Sequence, residues 1–192
     1  MTGHYESEAW RTFDLGHPGG EETTRFLLAR SGLKAGASIL DLCSGAGDSV
    51  NFLQREGFYA KGVDRPGVLG HAKAKYAHLS EFFSPWEGGD RLPFPDQFFD
   101  GVLCECSLSL FEDKEKVLKE VQRVLKRDGL FLLSDMTDQM PQDLSGFSLL
   151  DWQDESQHLK AFIARWLWTT GTPYPRTCQG AYYYSGIYKK ID

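Results

Sequence analysis

No stretch of the sequence approaches the ~20 consecutive apolar residues that a membrane-spanning helix requires. The opening segment, Met1 to Asp14, is polar and acidic and lacks the apolar run of a secretory signal. Basic residues are the minority: 21 Lys and Arg against 27 Asp and Glu leave a net charge of −6. Phosphate backbones and anionic membranes attract dense Lys/Arg surfaces, so wholesale binding to nucleic acid or to such membranes is disfavoured. Cysteine is scarce as well. The four residues Cys43, Cys104, Cys106 and Cys178 contain no Cys-x-x-Cys pair, which excludes the usual structural zinc spacings, and no metal is expected. Internal repeats and low-complexity linkers are missing too. These absences point to a protein of the cytoplasm with reduced thiols. What is present is a globular composition, 41% hydrophobic and 25% charged over 192 residues, enough for one domain with a full core.

Strand and helix signals alternate along the chain, which favours an α/β fold with a parallel sheet covered by helices. Glu21 to Ser31 reads as a helix between Pro18-Gly19-Gly20 and Gly32. Ser38 to Leu42 is short, apolar and bounded by glycines, and reads as a buried strand. Gly47 to Glu56 reads as a helix, Tyr59 to Val63 as a strand, Pro66 to Leu79 as a helix, and Glu81 to Trp86 as holding a short strand. Phe99 to Glu105 is the next strand. Asp113 caps a helix over Lys114 to Lys126, where Val117, Leu118, Val121, Val124 and Leu125 recur at helical spacing. Asp128-Gly129 ends that helix before a strand over Leu130 to Ser134. Phe147 to Trp152 reads as a strand, Glu155 to Trp168 as a helix, and Ala181 to Lys189 as a final strand. Met136 to Gly146 is too short and polar for a further crossover helix. Right-handed crossovers bring the loops after the strands to one sheet edge, where open α/β folds bind ligands.

The first strand runs into Asp41-Leu42-Cys43-Ser44-Gly45-Ala46-Gly47-Asp48. A glycine turn between strand and helix lets bare backbone approach a ligand. The full dinucleotide fingerprint needs a third glycine, and Val50 stands there. Asp64 ends the second strand about 20 residues later, the distance expected for an acid that accepts hydrogen bonds from ribose hydroxyls. Capping of the helix that begins at Pro66 is the alternative for Asp64. Cys104-Glu105-Cys106-Ser107 follows the fourth strand. Strand alternation puts Cys104 and Cys106 on one side and Glu105 on the other. The cysteines read as small buried hydrophobes. The alternative is a thiol cluster, with Cys43, that takes a soft metalloid or a thiol substrate. Glu105 is a candidate for orienting substrate or accepting a proton. His17, before the first helix, belongs to a turn or touches substrate. His158 reads as exposed or packed. Trp152, Trp166, Trp168 and Tyr182 to Tyr184 supply core or an apolar pocket wall.

Three ordered segments carry a resemblance. Ile39 to Gly47 is similar to the first motif of class I S-adenosylmethionine-dependent methyltransferases, an acid before a Gly-x-Gly turn. Leu92-Pro-Phe-Pro-Asp-Gln-Phe-Phe-Asp100 resembles the approach to that family's fourth strand. Val121 to Gly129 with Leu130 to Asp135 resembles its helix, turn and fifth strand. The set is similar to the subgroup of ubiquinone and menaquinone C-methyltransferases and spans about residues 33–135. The family usually has glycine where Cys43 stands. The resemblance implies a Rossmann-like three-layer sandwich, a mostly parallel sheet with an antiparallel C-terminal strand. It divides one domain, residues 1–192, into an N-terminal lid over 1–20, a donor-binding core over 33–135 and substrate-side elements over 147–192.

By the same resemblance, S-adenosylmethionine is the cofactor and S-adenosylhomocysteine the product. Asp41 would organise the methionine end. Ser44, Gly45 and Gly47 would lie along methionine and ribose. Asp64 would hold the ribose hydroxyls, with Arg65 near the adenine. Asp90 and Leu92 would flank the adenine, and Cys104 would approach the methionine through its backbone. Glu105 and His17 remain the catalytic candidates. The expected activity is in-line methyl transfer to a small-molecule acceptor. The Asn/Asp-Pro-Pro-aromatic motif of amino methyltransferases acting on bases or glutamine is missing after the fourth strand, which disfavours those substrates. Rival readings are a nucleotide-cofactor oxidoreductase, against which Val50 counts, and a non-catalytic S-adenosylmethionine-binding module. Oligomeric state has no signature in the sequence.

Overall fold

A computed structural model of the protein describes residues 16–88, 91–174 and 182–191. Seven strands form one sheet in the order β3-β2-β1-β4-β5-β7-β6. They are β1 (Ser38–Leu42), β2 (Tyr59–Asp64), β3 (Phe83–Pro85), β4 (Phe99–Glu105), β5 (Leu125–Thr137), β6 (Phe147–Asp154) and β7 (Tyr182–Lys190). The first five pair in parallel, and β7 runs antiparallel between β5 and β6. Five α-helices accompany the sheet among the described residues: α1 (Glu21–Ser31), α2 (Asp48–Arg55), α3 (Pro66–Lys75), α4 (Lys114–Val124) and α5 (Ser156–Thr170). This is the Rossmann-like α/β architecture the motifs imply.

Alternation along the strands explains the layers. Ile39, Leu103, Leu132 and Ile187 share one sheet face and pack under Leu27 and Leu28 of α1, Val50, Phe52 and Leu53 of α2, and Leu69 and Ala72 of α3. Leu40, Leu42, Val102, Cys104, Phe131 and Leu133 share the other face. They pack under Val117, Leu118, Val121 and Val124 of α4, with Trp86, Leu92 and Phe94 filling in beside it. Burying these side chains is the main source of stability, at about 25 cal/mol per Å² of apolar surface removed from water.

Several boundaries differ from the sequence reading. The helix after Pro66 stops at Lys75 and continues as a 3₁₀ turn over Ala77–Phe82, after Tyr76 leaves helical geometry at ψ 62°. Helix α4 ends at Val124 instead of Lys126, because Leu125 already pairs with Phe99 in β4. Asp113 does cap α4, accepting from the Lys116 N–H at 3.1 Å. No helix separates β5 from β6; α5 instead fills the connection between β6 and β7. No helix among the described residues is long and apolar enough to cross a membrane.

The strand order reverses between β1 and β4. In open α/β sheets the crevice at the carboxyl ends of the strands beside such a switch is where ligands bind.

Candidate functional site

A cavity of about 580 Å³ occupies that crevice. Its floor is the carboxyl edge of β1, β2 and β4, and its roof is residues 16–20 together with one face of α5.

The floor begins with a turn that only an unusual backbone can make. Cys43, Gly45 and Gly47 all have positive φ, at 65°, 52° and 85°. The turn is tied by N–H groups of Ser44 to the Val63 carbonyl at 3.0 Å and of Gly47 to the Ser44 carbonyl at 2.8 Å. A side chain at Gly45 would project into open space, so bare backbone faces the cavity there. Cys43 sits in the left-handed region that glycine adopts at least cost, which accounts physically for the glycine usual in similar sequences. Asp64, at the end of β2, grips the turn: its carboxylate accepts from the Gly45 N–H at 2.8 Å and the Arg65 N–H at 2.7 Å.

Four carboxylates line this floor: Asp41, Asp48, Asp64 and Glu105. Register places Asp41 opposite Leu103, so Asp41 and Glu105 lie on the same sheet face at adjacent strand ends. Burial pushes the Asp41 carboxyl well above the usual carboxylate range, and the charges of Glu105, Asp64 and Asp48 push it further. Its Oδ2 is buried without a hydrogen-bond partner, as is the Oγ of Ser44 in the adjacent turn. Buried polar atoms are nearly always paired, and an orphaned one costs about 1–3 kcal/mol. Two such atoms on one cavity wall fit a polar ligand that completes them.

Glu105 joins floor to roof. Thr24 Oγ1 donates to both of its oxygens at 3.1 and 3.0 Å, and Ser49 Oγ donates to Oε2 at 2.8 Å. His17 Nε2 lies 3.3 Å from the same Oε2, while Nδ1 faces the Pro18 carbonyl at 3.1 Å. Both ring nitrogens thus meet acceptors. That geometry suits a ring that holds residues 16–20 down better than one that removes a proton from substrate. The Tyr183 hydroxyl donates to the Pro18 carbonyl at 3.1 Å and shares a hydrogen bond with Ser134 Oγ at 3.0 Å; Cys106 Sγ donates to it at 3.5 Å.

Of the residues singled out in the sequence, Asp41, Ser44, Gly45, Asp64, Arg65, Glu105 and His17 all line the cavity. Gly47 shapes the turn beneath, where a Cβ would sit 2.7 Å from the Phe83 ring. The side chains of two others face the core. Leu92 is buried in the α4-side core, and its N–H donates to Glu120 Oε2 at 2.7 Å, which turns it away from the cavity. The side chain of Cys104 points into that same core. Asp90 lies outside the described residues.

The thiols do not share a face. Glu105 ends the strand, and Cys106 follows at φ 53°, breaking the alternation and packing with Leu159 and Tyr183. Burial pushes the thiols of Cys43 and Cys104 well up, which opposes thiolate chemistry. Among the described residues no three His, Cys, Asp or Glu side chains are grouped to hold a metal ion. Trp166 and Tyr183 are core, whereas Trp168 stands 92% exposed. Thr24 and Ser49 escaped the sequence reading. They meet Glu105 across 81 and 56 positions, and nothing local marks them.

A family model described as a methyltransferase domain matches residues 40–133. The ubiquinone/menaquinone biosynthesis C-methyltransferase UbiE of Hahella chejuensis is 34% identical over 125 residues, covering 59% of this chain and 48% of that protein. The chain thus spans about half the length of the curated relatives it matches. Among solved structures, YcgJ of Bacillus subtilis superposes with a TM-score of 0.63 at 19% identity, covering 90% of this chain and 99% of that one. Phosphoethanolamine N-methyltransferase 2 of Haemonchus contortus, solved with phosphomonomethylethanolamine and S-adenosylhomocysteine, superposes with a TM-score of 0.72 at 14% identity, covering 100% and 58%. At such identities the structural likeness speaks to the fold alone.

Proposed function

We propose that residues 40–133, which match a methyltransferase domain, bind S-adenosylmethionine, and that the chain methylates a small-molecule acceptor held between the carboxylate floor and the α5 roof. One observation carries this reading: the buried, unpartnered Oδ2 of Asp41 beside the bare backbone of Gly45. An ammonium group completes Asp41, and a hydroxyl or carboxylate completes Ser44. A floor of four carboxylates suits a ligand that carries positive charge.

In this reading Asp41 and Ser44 hold the methionine end of the donor. Gly45 and Gly47 let it lie close to the backbone, and Asp64 takes the ribose hydroxyls as an acceptor. Arg65 lies toward the adenine. Bound there, the donor supplies a methyl group on a sulfonium, which is already a good leaving group. The chain's own work is then positioning, which converts an encounter of two molecules into a local displacement. Glu105 fixes α1, α2 and residues 16–20 over the floor, and His17 holds those residues closed. Both act as positioning residues. Roof closure excludes water from the reacting groups.

Calorimetry provides the test. S-adenosylhomocysteine binds and NAD does not. Mass spectrometry of a metabolite pool incubated with methyl-labelled S-adenosylmethionine then finds one labelled small molecule. Donor binding without any labelled product supports a binding module instead, and NAD binding in place of S-adenosylhomocysteine overturns the assignment.

A further inference from the structure

Two imidazoles line the roof of the cavity, and their surroundings differ. His17 has an acceptor at each ring nitrogen and serves as a tie. His158 stands near the start of α5, one turn before Ala161 and Phe162, which share its helix face and also line the cavity. Leu159, Phe162 and Trp166 are buried along α5, so packing fixes which face looks inward. The backbone of Gly19 lies against the ring: a Cβ there would stand 2.8 Å from His158 Nδ1.

Nδ1 of His158 is buried without an aligned hydrogen-bond partner, and Oε2 of Glu155 is 3.0 Å from it. Glu155 is buried as well. Its other oxygen accepts from Ser185 Oγ at 3.2 Å, and its backbone N–H donates to the Tyr183 carbonyl at 2.7 Å, so the carboxylate is held in place. Lone pairs of a ring nitrogen and a carboxylate repel at such a distance. The proton of the neutral ring therefore belongs on Nδ1, between ring and carboxylate, and Nε2 keeps its lone pair. The carboxylate of Glu22 on α1 lies 3.9 Å from Nε2, beyond hydrogen-bond reach, on a side chain that is 80% exposed. The charged groups paired with the ring are thus Glu155 and Glu22, and an imidazolium formed there meets two carboxylates.

An imidazole with a carboxylate at Nδ1 and a bare Nε2 at a cavity wall is arranged to take a proton. We propose that His158, oriented by Glu155, is the general base of the methyl transfer, and that the acceptor gives up a proton as it is methylated: a hydroxyl, a thiol or an acidic C–H. This inference rests on the donor and acceptor reading above. The acceptor's proton passes to Nε2, and the electron pair it leaves behind forms the bond to the methyl carbon. The methyl–sulfur bond breaks with its pair going to the sulfonium, which becomes the neutral thioether of S-adenosylhomocysteine. The imidazolium returns the proton to solvent past Glu22. Carboxylates, already ionised, and free amines need no such base.

The first test needs no ligand. In the unloaded chain labelled with nitrogen-15 histidine, at alkaline pH, the His158 resonances are identified by their loss in His158→Gln. They show the proton on Nδ1 and a bare Nε2; a proton on Nε2 overturns the inference. Glu155→Ala shifts the proton toward Nε2, and an unchanged tautomer in that variant removes Glu155 from its orienting role. The second test uses methyl-labelled S-adenosylmethionine and the metabolite pool. His158→Gln lowers the rate at which label enters the small-molecule fraction at least about tenfold, within the reach of a general base, and a smaller loss overturns the inference. S-adenosylhomocysteine affinity stays within about twofold in both variants, which shows that they fold. A matching loss of that affinity in His158→Gln overturns the inference, because the ring then only braces the site. The labelled product carries its methyl on oxygen, sulfur or carbon; a methyl on an amine nitrogen or in a carboxylate ester overturns it. If the unaltered chain binds no S-adenosylhomocysteine, the donor reading fails, and if it binds but labels nothing, the acceptor reading fails; either takes this inference with it. The tautomer, read without donor, tells those failures from a failure of His158 itself.

Discussion

Floor and roof of the same cavity are held by different means. The floor is a strand-end structure: Ser44, Gly45 and Gly47 are tied by backbone hydrogen bonds, and Asp64 clamps two N–H groups. The roof over residues 16–20 is held by side chains reaching from other elements, namely Glu105 and Tyr183, whose hydroxyl is braced by Ser134. Backbone turns are specified by a few neighbouring residues, and any chain with the same acid-and-glycine pattern can repeat them. Side-chain ties across the fold are particular to one sequence. In the proposed function the donor chemistry then belongs to the floor and the choice of acceptor to the roof.

Glu105 is the residue common to both regions, and removing it should have the largest effect. Glu105→Ala leaves Thr24, Ser49 and His17 without their acceptor and lowers the unfolding free energy by about 3 kcal/mol, measured by urea denaturation. A loss below about 1 kcal/mol would mean that floor and roof are independent. Asp64→Ala attacks the floor alone. It weakens S-adenosylhomocysteine binding about 100-fold by calorimetry, because the turn loses its clamp and the ribose its acceptor.

The floor also sets a pH dependence. Asp41 has a folded-state pKa above its unfolded value, so the native state keeps a proton that the unfolded chain releases. Stability therefore falls as pH rises from the unfolded value, about 3.9, toward the raised one. Asp41→Asn removes that slope, which is at most about 1.4 kcal/mol per pH unit. Thermal melts of both proteins across this range should diverge toward higher pH, with the variant the more stable.

Tyr183→Phe sharpens the contrast from the roof side. It costs about 1 kcal/mol and speeds amide exchange over residues 16–20, yet leaves S-adenosylhomocysteine affinity within about twofold. Smallest of all is Cys43→Gly, within about 0.5 kcal/mol of the parent in urea melts, since relief of the left-handed backbone offsets the unfolded-state entropy that glycine gains. Cys43→Val, β-branched at the same φ, costs more than about 1 kcal/mol.

Much of this was legible in the sequence because it is local. Strand β1, the turn to Gly47, Asp64 and strand β4 follow from short patterns whose causes sit within a few residues. The misplacements have equally plain causes. The resemblance places Leu92 beside the adenine, whereas in the fold Glu120 on α4 captures its N–H, a contact across 28 positions. Alternation put Cys106 with Cys104, and the left-handed residue at the strand end broke it. His17 reads in the sequence as a turn residue or a substrate contact, and only the folded chain brings acceptors to both of its nitrogens. The α5 face was readable as a helix, but not as a wall, because the sheet order decides what lies beneath it.

In the proposed function Asp41 is the group that meets the donor's positive charge. Calorimetry of S-adenosylhomocysteine binding at mildly acidic pH, run in two buffers of different ionisation enthalpy, reads this directly. Binding to the unaltered chain should release a proton, because the arriving ammonium ionises the buried carboxyl, and Asp41→Asn should bind more weakly and release none. Binding with the same proton count in both proteins, or no binding to the unaltered chain, would contradict it.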